Sequence, residues 1–163
     1  DLLNFARTSP MMKEPSSIND LLEESLKLSG YLMGKHNIRI IRRFRQDLPQ
    51  VNVDPSKICQ VFLNIIINAA QAMGKSGVLT LTSGITKNIC WVKVSDTGPG
   101  IDPRVKAKIF DTFFTTKGKN SGTGLGLAVS RIFVNQHGGT IEVVSKKRDG
   151  ATFIINLPMT GSK

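Results

Sequence analysis

Three groups of residues in this 163-residue chain have the types and spacing to bind a nucleotide. Asn64 and Asn68 lie one helical turn apart in an apolar segment, so their amides share one face, and amide oxygens are hard ligands that suit Mg²⁺. Asp96 follows a β-rich run and can accept a hydrogen bond from the exocyclic amine of adenine. The glycine-rich run at 122–127 leads into a helix, whose free backbone N–H groups favour phosphate oxygens. Together these motifs predict a nucleotide pocket.

Each motif taken alone also has a simpler interpretation. The two asparagines could cap neighbouring backbone, Asp96 could bond its own backbone in an Asp-Thr-Gly turn, and the glycines could form a purely structural turn. Spacing excludes two other glycine loops. A dinucleotide fingerprint would need glycine at the position of Leu127, and the run lacks the Gly-Lys-Ser/Thr ending of a Walker loop.

The segment at 101–121 is predicted to be a functional loop, because it is long and lacks sustained periodicity. It carries Phe110, Phe113 and Phe114, which could pin the loop over the pocket or onto a partner. Lys117 is the best candidate cation for a γ-phosphate. The alternative is a small satellite core of aromatic residues with Lys117 in solvent.

The predicted elements combine helices with antiparallel hairpins. Asn19 is expected to cap a helix that runs to about residue 35, and Asp54 with Pro55 starts a second helix that runs to about residue 73. A third helix is predicted at 125–136. The predicted strands are 38–44, 78–85, 89–95, 140–144 and 151–157. This order predicts an α+β fold, a two-layer α/β sandwich with one mixed, mostly antiparallel sheet and three helices on one face.

The length of the chain predicts one domain, at 18–163, preceded at 1–17 by the end of an earlier helix and a proline-marked connector. No run approaches the roughly 18 uninterrupted apolar residues of a membrane span. Cys59 and Cys90 lie far apart in apolar segments, which is typical of buried thiols in a reducing compartment. We therefore expect a cytoplasmic location, although the parent protein can be membrane-anchored.

The formal net charge of +10 raises the hypothesis of a nucleic-acid-binding module. The basic residues fall in three separate clusters, at 39–45, 106–108 and 146–148. Scattered clusters are typical of solvated surfaces rather than of one nucleic-acid interface. We therefore predict no nucleic-acid partner, and expect some of the charge to favour ATP or an acidic protein.

The motifs resemble the ATP-binding catalytic domain of bacterial sensor histidine kinases, of the nitrogen-regulation type, in the GHKL or Bergerat superfamily shared with gyrase, mismatch-repair ATPases and heat-shock chaperones. The resemblance covers about 18–158 and includes the N box at 64–73, the G1 box at 96–101, the F box at 109–114 and the G2 box at 122–127. It implies the Bergerat fold, with 101–121 as an ATP lid.

The resemblance also implies the ligands and the site. These are ATP and Mg²⁺, with Asn68 as the main metal ligand, Asn64 as its helper and Asp96 as the adenine reader. The implied ATP-binding residues are Asn64, Asn68, Ala72, Asp96, Gly98, Gly100, Ile101, Phe110, Thr116, Lys117, Gly122, Thr123, Gly124, Leu125, Gly126 and Leu127.

No catalytic residue is expected within this chain, because family members carry the acceptor histidine and its acidic base on a separate dimerisation domain. The implied partners are that dimerisation domain of the same protein and, through it, a response regulator. The full-length protein is expected to be a homodimer and the present chain a monomer.

Three positions bear on the type of activity. ATP hydrolases of the superfamily carry glutamate where this chain has Asn64, and an amide cannot act as a general base, so hydrolysis is disfavoured. Ala151 stands where many relatives have threonine or serine, and Gln71 where some kinases have a phosphate-binding lysine. The alternatives are a serine kinase of the anti-sigma type, which uses the same pocket, and a non-enzymatic basic module that binds nucleic acid.

Overall fold

A computed structural model describes residues 2–118 and 122–159, so residues 119–121 of the predicted lid and the chain ends lie outside the described residues. We call 101–118 the lid segment. The elements are α1 (Leu2–Thr8), β1 (Glu14–Ser16), α2 (Ile18–Met33), β2 (Asn37–Phe44), β3 (Val51–Val53), α3 (Pro55–Met73), β4 (Ser76–Thr86), β5 (Ile89–Asp96), α4 (Pro103–Lys106), α5 (Gly126–Gln136), β6 (Thr140–Ser145) and β7 (Ala151–Pro158).

The main sheet has five strands in the order β2-β4-β5-β7-β6. β2 and β4 are parallel and the other neighbours are antiparallel, so the sheet is mixed and mostly antiparallel. The helices α2, α3 and α5 pack side by side, and α3 and α5 contact the sheet. The predicted fold class, an α+β two-layer sandwich, is therefore confirmed.

The core lies between the sheet and α3. Every second residue of β5 and β7 is buried, as a strand with one face on a core requires. Phe62 on α3 is fully buried against this layer, and its truncation to alanine would cost about 3–5 kcal/mol. This packing fixes α3 against the sheet, and α3 carries both candidate asparagines.

The start of α2 differs from the prediction. Ser17, not Asn19, is the N-cap, because its side chain accepts a hydrogen bond from the backbone N of Asp20 at 3.2 Å. Asn19 already lies inside the helix and bonds instead to the backbone oxygen of Arg45 and to the hydroxyl of Ser83. Both residue types can cap, and the tertiary contacts of Asn19 decide between them.

The start of α3 agrees with the prediction. Asp54 is the N-cap, its Oδ1 accepting from the backbone N of Lys57 at 3.2 Å, and Pro55 occupies the first helical position. The second carboxylate oxygen of Asp54 accepts from the backbone N of Met12 at 3.0 Å. One side chain therefore begins α3 and also fastens the segment that precedes α2.

Residues 2–17 lie against the rest of the structure. β1 pairs with β3 in a separate two-stranded sheet, α1 packs on α5, and the side chain of Gln136 donates to the carbonyl of Ala6 at 3.1 Å. The domain boundary at 17/18 stays a prediction. Within residues 2–118 and 122–159, no helix has the length and apolar character needed to cross a membrane.

Candidate nucleotide-binding site

A cavity of about 530 Å³ lies among α3, the end of β5, the lid segment and the start of α5. The structure brings most of the predicted site residues to its wall. Those that line it are Asn64, Asn68, Ala72, Asp96, Gly100, Ile101, Thr116, Lys117, Gly122, Thr123, Gly124, Gly126 and Leu127. Gly98, Phe110 and Leu125 were also predicted but do not line the cavity.

Asp96 is the last residue of β5 and is only 8% exposed. Its Oδ1 accepts from the backbone N of Gly98 at 2.8 Å, so the predicted Asp-Thr-Gly turn and the predicted cavity position are both present. Burial raises the pKa of Asp96, while the backbone N–H groups of Gly98 and Ala151 oppose the rise. The site therefore holds a partly desolvated carboxylate that can accept a hydrogen bond from an amine.

Asn68 and Gln71 both contact the side chain of Lys117. The Nζ of Lys117 donates to the Oδ1 of Asn68 at 3.0 Å and also to the Oε1 of Gln71. Burial lowers the pKa of Lys117, because the cavity wall removes water from the ammonium. Lys117 is thus not in free solvent, and two amide oxygens of α3 already hold a positive charge.

Asn64 joins α3 to the first turn of α5. Its Nδ2 donates to the backbone oxygen of Gly126 at 3.1 Å and lies 3.2 Å from the hydroxyl of Ser130, which in turn donates to the same Gly126 oxygen. The predicted alternative, an asparagine that bonds backbone, therefore holds for the nitrogen of Asn64. The residue also lines the cavity, so both interpretations apply.

Two glycines of the site are required by their backbone conformation. Gly100 has φ +74°, and a Cβ there would lie 2.0 Å from the backbone oxygen of Lys146. Gly124 has φ +67°, and a Cβ there would lie 2.4 Å from the backbone carbon of Phe113. The positive φ and the clash of an added Cβ with neighbouring backbone both exclude a side chain, so these two loop positions require glycine.

The start of α5 offers backbone donors. Leu125, the residue before the helix, makes no side-chain cap hydrogen bond, and the first turn contains no acidic residue. N–H groups of a first helical turn have no intrahelical acceptor and favour an anion. Leu125 therefore lies at the helix start rather than in the cavity wall.

The three lid phenylalanines have different environments. Phe114 lines the cavity, and Phe113 is 67% exposed. Phe110 packs edge-to-face on Phe153, with ring centroids 6.3 Å apart, and the guanidinium of Arg131 lies 5.9 Å from its centroid. Phe110 therefore packs on a wall residue, Phe153, without lining the cavity itself.

Sequence reasoning missed part of the wall. The additional lining residues are Ile67, Ala69, Gln71, Asp102, Val105, Ile109, Phe114, Thr115, Ala151 and Phe153. Most are apolar, and an apolar side chain in a cavity wall has the same sequence pattern as one in the core. The sequence did give a signal at Ala151, which stands where many family members have threonine or serine. Ala151 lines the cavity, whereas the hydroxyl of the next residue, Thr152, bonds Ser95 at 2.9 Å.

The described part of the cavity wall offers few of the side chains that usually bind metal ions. Within the described ranges no group of three or more His, Cys, Asp or Glu side chains could hold a metal ion. Asp102, on the wall, is paired with Arg104 at 3.0 Å, and this bond holds its pKa at about 2. A cation would therefore rest on amide oxygens and on groups brought by the nucleotide.

Comparison with known proteins identifies the class. Residues 53–161 match the family described as histidine kinase-, DNA gyrase B- and HSP90-like ATPase, and this match covers more than half of the chain. The chain therefore belongs to that ATPase family. Membership confirms the sequence-based resemblance and, with it, a site for ATP.

The individual relatives that the chain resembles are sensor histidine kinases. The chain is 36% identical over 159 residues to the sensor histidine kinase ZraS of Escherichia coli (strain K12), covering 98% of this chain and 34% of ZraS. It thus spans about a third of the length of this relative. No support emerges from these comparisons for the serine kinase or for the nucleic-acid-binding module.

Solved structures agree. The catalytic domain of histidine kinase ThkA, at 34% identity, superposes with a TM-score of 0.83 over 93% of this chain and 98% of that one. Full-length ShkA in complex with AMPPNP, at 28% identity, gives a TM-score of 0.85 over 99% of this chain and 35% of ShkA. ThkA has also been solved in complex with the response regulator protein TrrA.

Proposed function

We propose that this chain binds Mg²⁺-ATP in the cavity and, as the catalytic part of a sensor histidine kinase, presents the γ-phosphate to a histidine on a separate dimerisation domain. The observation that carries the proposal is the convergence of Asp96, Asn68 and the start of α5 on one cavity of about 530 Å³. An acceptor for the base, an oxygen for a cation and donors for an anion are the three groups that such a ligand needs.

Asp96 reads the purine in this proposal. An ionised carboxylate accepts hydrogen bonds and cannot donate, so it suits the exocyclic amine of adenine. The carbonyl of guanine would face the same buried oxygen without a proton between them, and a polar site rejects such a mismatch strongly. Gly98 leaves room beside the carboxylate, since a Cβ there would lie 2.9 Å from the Oδ1 of Asp96, and the small side chain of Ala72 lines the same cavity.

Asn68 holds the metal in this proposal. Its Oδ1 already accepts from an ammonium, which supports the view that this oxygen stabilises a cation. Mg²⁺ prefers oxygen ligands and is usually bound by few protein groups together with phosphates, as the donor set here requires. When bound, the metal would neutralise charge on the phosphates. Asn64 is its helper, through the Oδ1 that its bonds to α5 leave available.

The cavity supports transfer rather than hydrolysis. Asn64 is an amide and cannot take a proton from water, and the lining carboxylates within the described chain are Asp96, assigned to the base, and Asp102, paired with Arg104. The nucleophile must then come from outside. His137 is 4% exposed and bonded to the backbone N of Asp54, and His36 contacts the carbonyl of Gly74, so neither lines the cavity.

The partners follow from this division of labour. We propose that the acceptor histidine and its acidic base lie on a dimerisation domain of the same protein, that the full-length protein is a homodimer, and that a response regulator receives the phosphoryl group. We propose a cytoplasmic location, where ATP is available.

Two experiments test the function. Calorimetric titration of the chain with Mg²⁺-ATP, Mg²⁺-GTP and ATP plus EDTA should show millimolar or tighter binding that prefers ATP and weakens without metal. Asp149→Asn, at an exposed turn, is the matched control for Asp96→Asn and should bind like wild type.

Mixed with the dimerisation domain and γ-labelled ATP, the chain should yield an acid-labile phosphoprotein. An acid-stable product, or no transfer despite ATP binding, would contradict histidine as the acceptor.

A further inference from the structure

Asn68 and Gln71 present two amide oxygens to a single ammonium ion. They lie three residues apart on α3, so both side chains project from the same face. The Nζ of Lys117 donates to both oxygens, at 3.0 Å to the Oδ1 of Asn68. All three residues line the cavity. The lid segment is thus joined to α3 through one lysine side chain.

This arrangement cannot persist unchanged when the proposed metal binds. The Oδ1 of Asn68 is the oxygen assigned to Mg²⁺, and an ammonium and a divalent cation sharing one oxygen would repel each other strongly in a partly desolvated site. Binding of Mg²⁺-ATP therefore requires Lys117 to leave Asn68. Gln71 has no part in holding the metal, so its oxygen remains free to keep the ammonium one turn further along α3.

We propose that Gln71 is a positioning residue: it retains the Lys117 ammonium beside the triphosphate once the Oδ1 of Asn68 binds the metal. This inference rests on the proposed function. A cation held at this place can donate to phosphate oxygens, and hydrogen bonds between ions are stronger than those between neutral groups. In the wild-type chain, the Gln71 oxygen already restricts the long lysine side chain. Without that oxygen, the side chain would lose the same conformational entropy only on binding phosphate, and this loss would weaken binding.

The test moves the charge from one residue to the other. Lys117→Met should weaken the binding of Mg²⁺-ATP by about tenfold or more, the range expected for a hydrogen bond to a charged group. The double variant Gln71→Lys with Lys117→Met should recover most of that loss, because a lysine at 71 places an ammonium near the same position. Lys108→Met, an exposed lysine of the lid segment outside the cavity wall, is the matched control and should bind like wild type.

The single variant Gln71→Leu, which keeps the bulk of the side chain but removes its oxygen, tests the role without the double variant. It should weaken ATP binding several-fold and leave AMP binding unchanged, because AMP lacks the β- and γ-phosphates. In nucleotide-free protein without metal, Lys117 should react faster with an acylating reagent in Gln71→Leu than in wild type, as read by mass spectrometry. This readout does not depend on ATP.

The outcomes separate the two proposals. A wild-type chain that binds neither ATP nor AMP would overturn the proposed function. A wild-type chain that binds both, with Gln71→Leu retaining full ATP affinity and unchanged Lys117 reactivity, would overturn only the role of Gln71. Failure of the double variant to recover affinity, while it still binds AMP, would equally contradict the placement of the charge.

Discussion

The side-chain nitrogen of Asn64 lies 3.1 Å from the backbone oxygen of Gly126 and donates a hydrogen bond to it. This contact links the helix that carries both candidate asparagines to the first residue of α5, the helix whose start borders the cavity. A residue of the cavity wall therefore also holds two helices together. Its replacement should affect stability as well as binding.

Asn64→Ala should destabilise the nucleotide-free protein by about 0.5–1.5 kcal/mol, because it removes one hydrogen bond to the Gly126 carbonyl, which still accepts from the Ser130 hydroxyl. Urea unfolding measures the change in the free energy of unfolding. Asn88→Ala, in the turn between β4 and β5, controls for loss of an exposed asparagine side chain. A variant as stable as wild type would show that the Asn64 bond contributes nothing.

Asp96→Asn should lose adenine preference while the protein becomes no less stable at pH 7. Burial raises the pKa of Asp96 in the folded state above its ordinary value of 3.8, so the folded state binds the proton more tightly than the unfolded state. By linkage, the contribution of Asp96 to stability is largest below pH 3.8 and is lost as the pH rises through the folded pKa. The amide avoids this loss.

The measurement for Asp96→Asn is thermal unfolding at pH 4 and pH 7 with no nucleotide. The variant should gain melting temperature relative to wild type, and gain more at pH 7 than at pH 4. A variant that is markedly less stable than wild type at pH 7 would mean that the carboxylate is a structural group rather than one kept for a ligand.

Gly100→Ala should destabilise the protein by about 1–2 kcal/mol from its positive φ alone, with a further loss because the new Cβ would meet the Lys146 backbone oxygen. Gly30→Ala is the matched control. Gly30 lies inside α2, where an added Cβ would have no atom within 4 Å, so alanine there should stabilise the helix by about 1 kcal/mol. Equal effects of the two substitutions on urea unfolding would contradict this assignment.

His137 should make the protein acid-sensitive. It is buried, its Nε2 accepts from the backbone N of Asp54 at 2.9 Å, and its Nδ1 donates to the backbone oxygen of Phe133 at 2.6 Å, so it is held neutral. Burial lowers the pKa of His137, the hydrogen bond to the Phe133 backbone oxygen and the charge of Asp54 oppose this, and Lys13 and Lys57 act in the same direction as burial. The unfolded state therefore binds its proton first.

The contribution of His137 to stability is consequently complete above pH 6.5 and is lost as the pH falls through its folded pKa. His137→Gln should flatten the decline in unfolding free energy just below pH 6.5. Parallel pH profiles for wild type and His137→Gln would contradict this assignment.

Strong local signals made much of this structure predictable. Asp54 followed by Pro55 marks a helix start on its own, and the alternation of β5 leads directly to Asp96. β1 and β3 went unpredicted because three-residue strands are too short to show a two-residue period, and α4 because a four-residue helix has no apolar stripe.

The details of the site depend on contacts that sequence spacing does not encode. The bonds from Lys117 to Asn68 and Gln71 join residues 46 or more positions apart, so no local pattern reports them. Phe110 and Phe114 lie in the same irregular segment, and no local sequence pattern distinguishes them. Only the structure shows that Phe110 packs on Phe153 and does not line the cavity. Motifs could therefore locate the cavity but not the partners of each side chain.

A crystal structure of this chain with Mg²⁺ and AMPPNP tests the central claim most directly. We predict that the exocyclic amine of adenine lies within hydrogen-bond distance of the Asp96 carboxylate, that the metal lies on the Oδ1 of Asn68, and that the Lys117 ammonium has moved from Asn68 to the phosphates. A nucleotide bound elsewhere, or bound in the cavity with its base away from Asp96 and its metal away from Asn68, would contradict the proposed function.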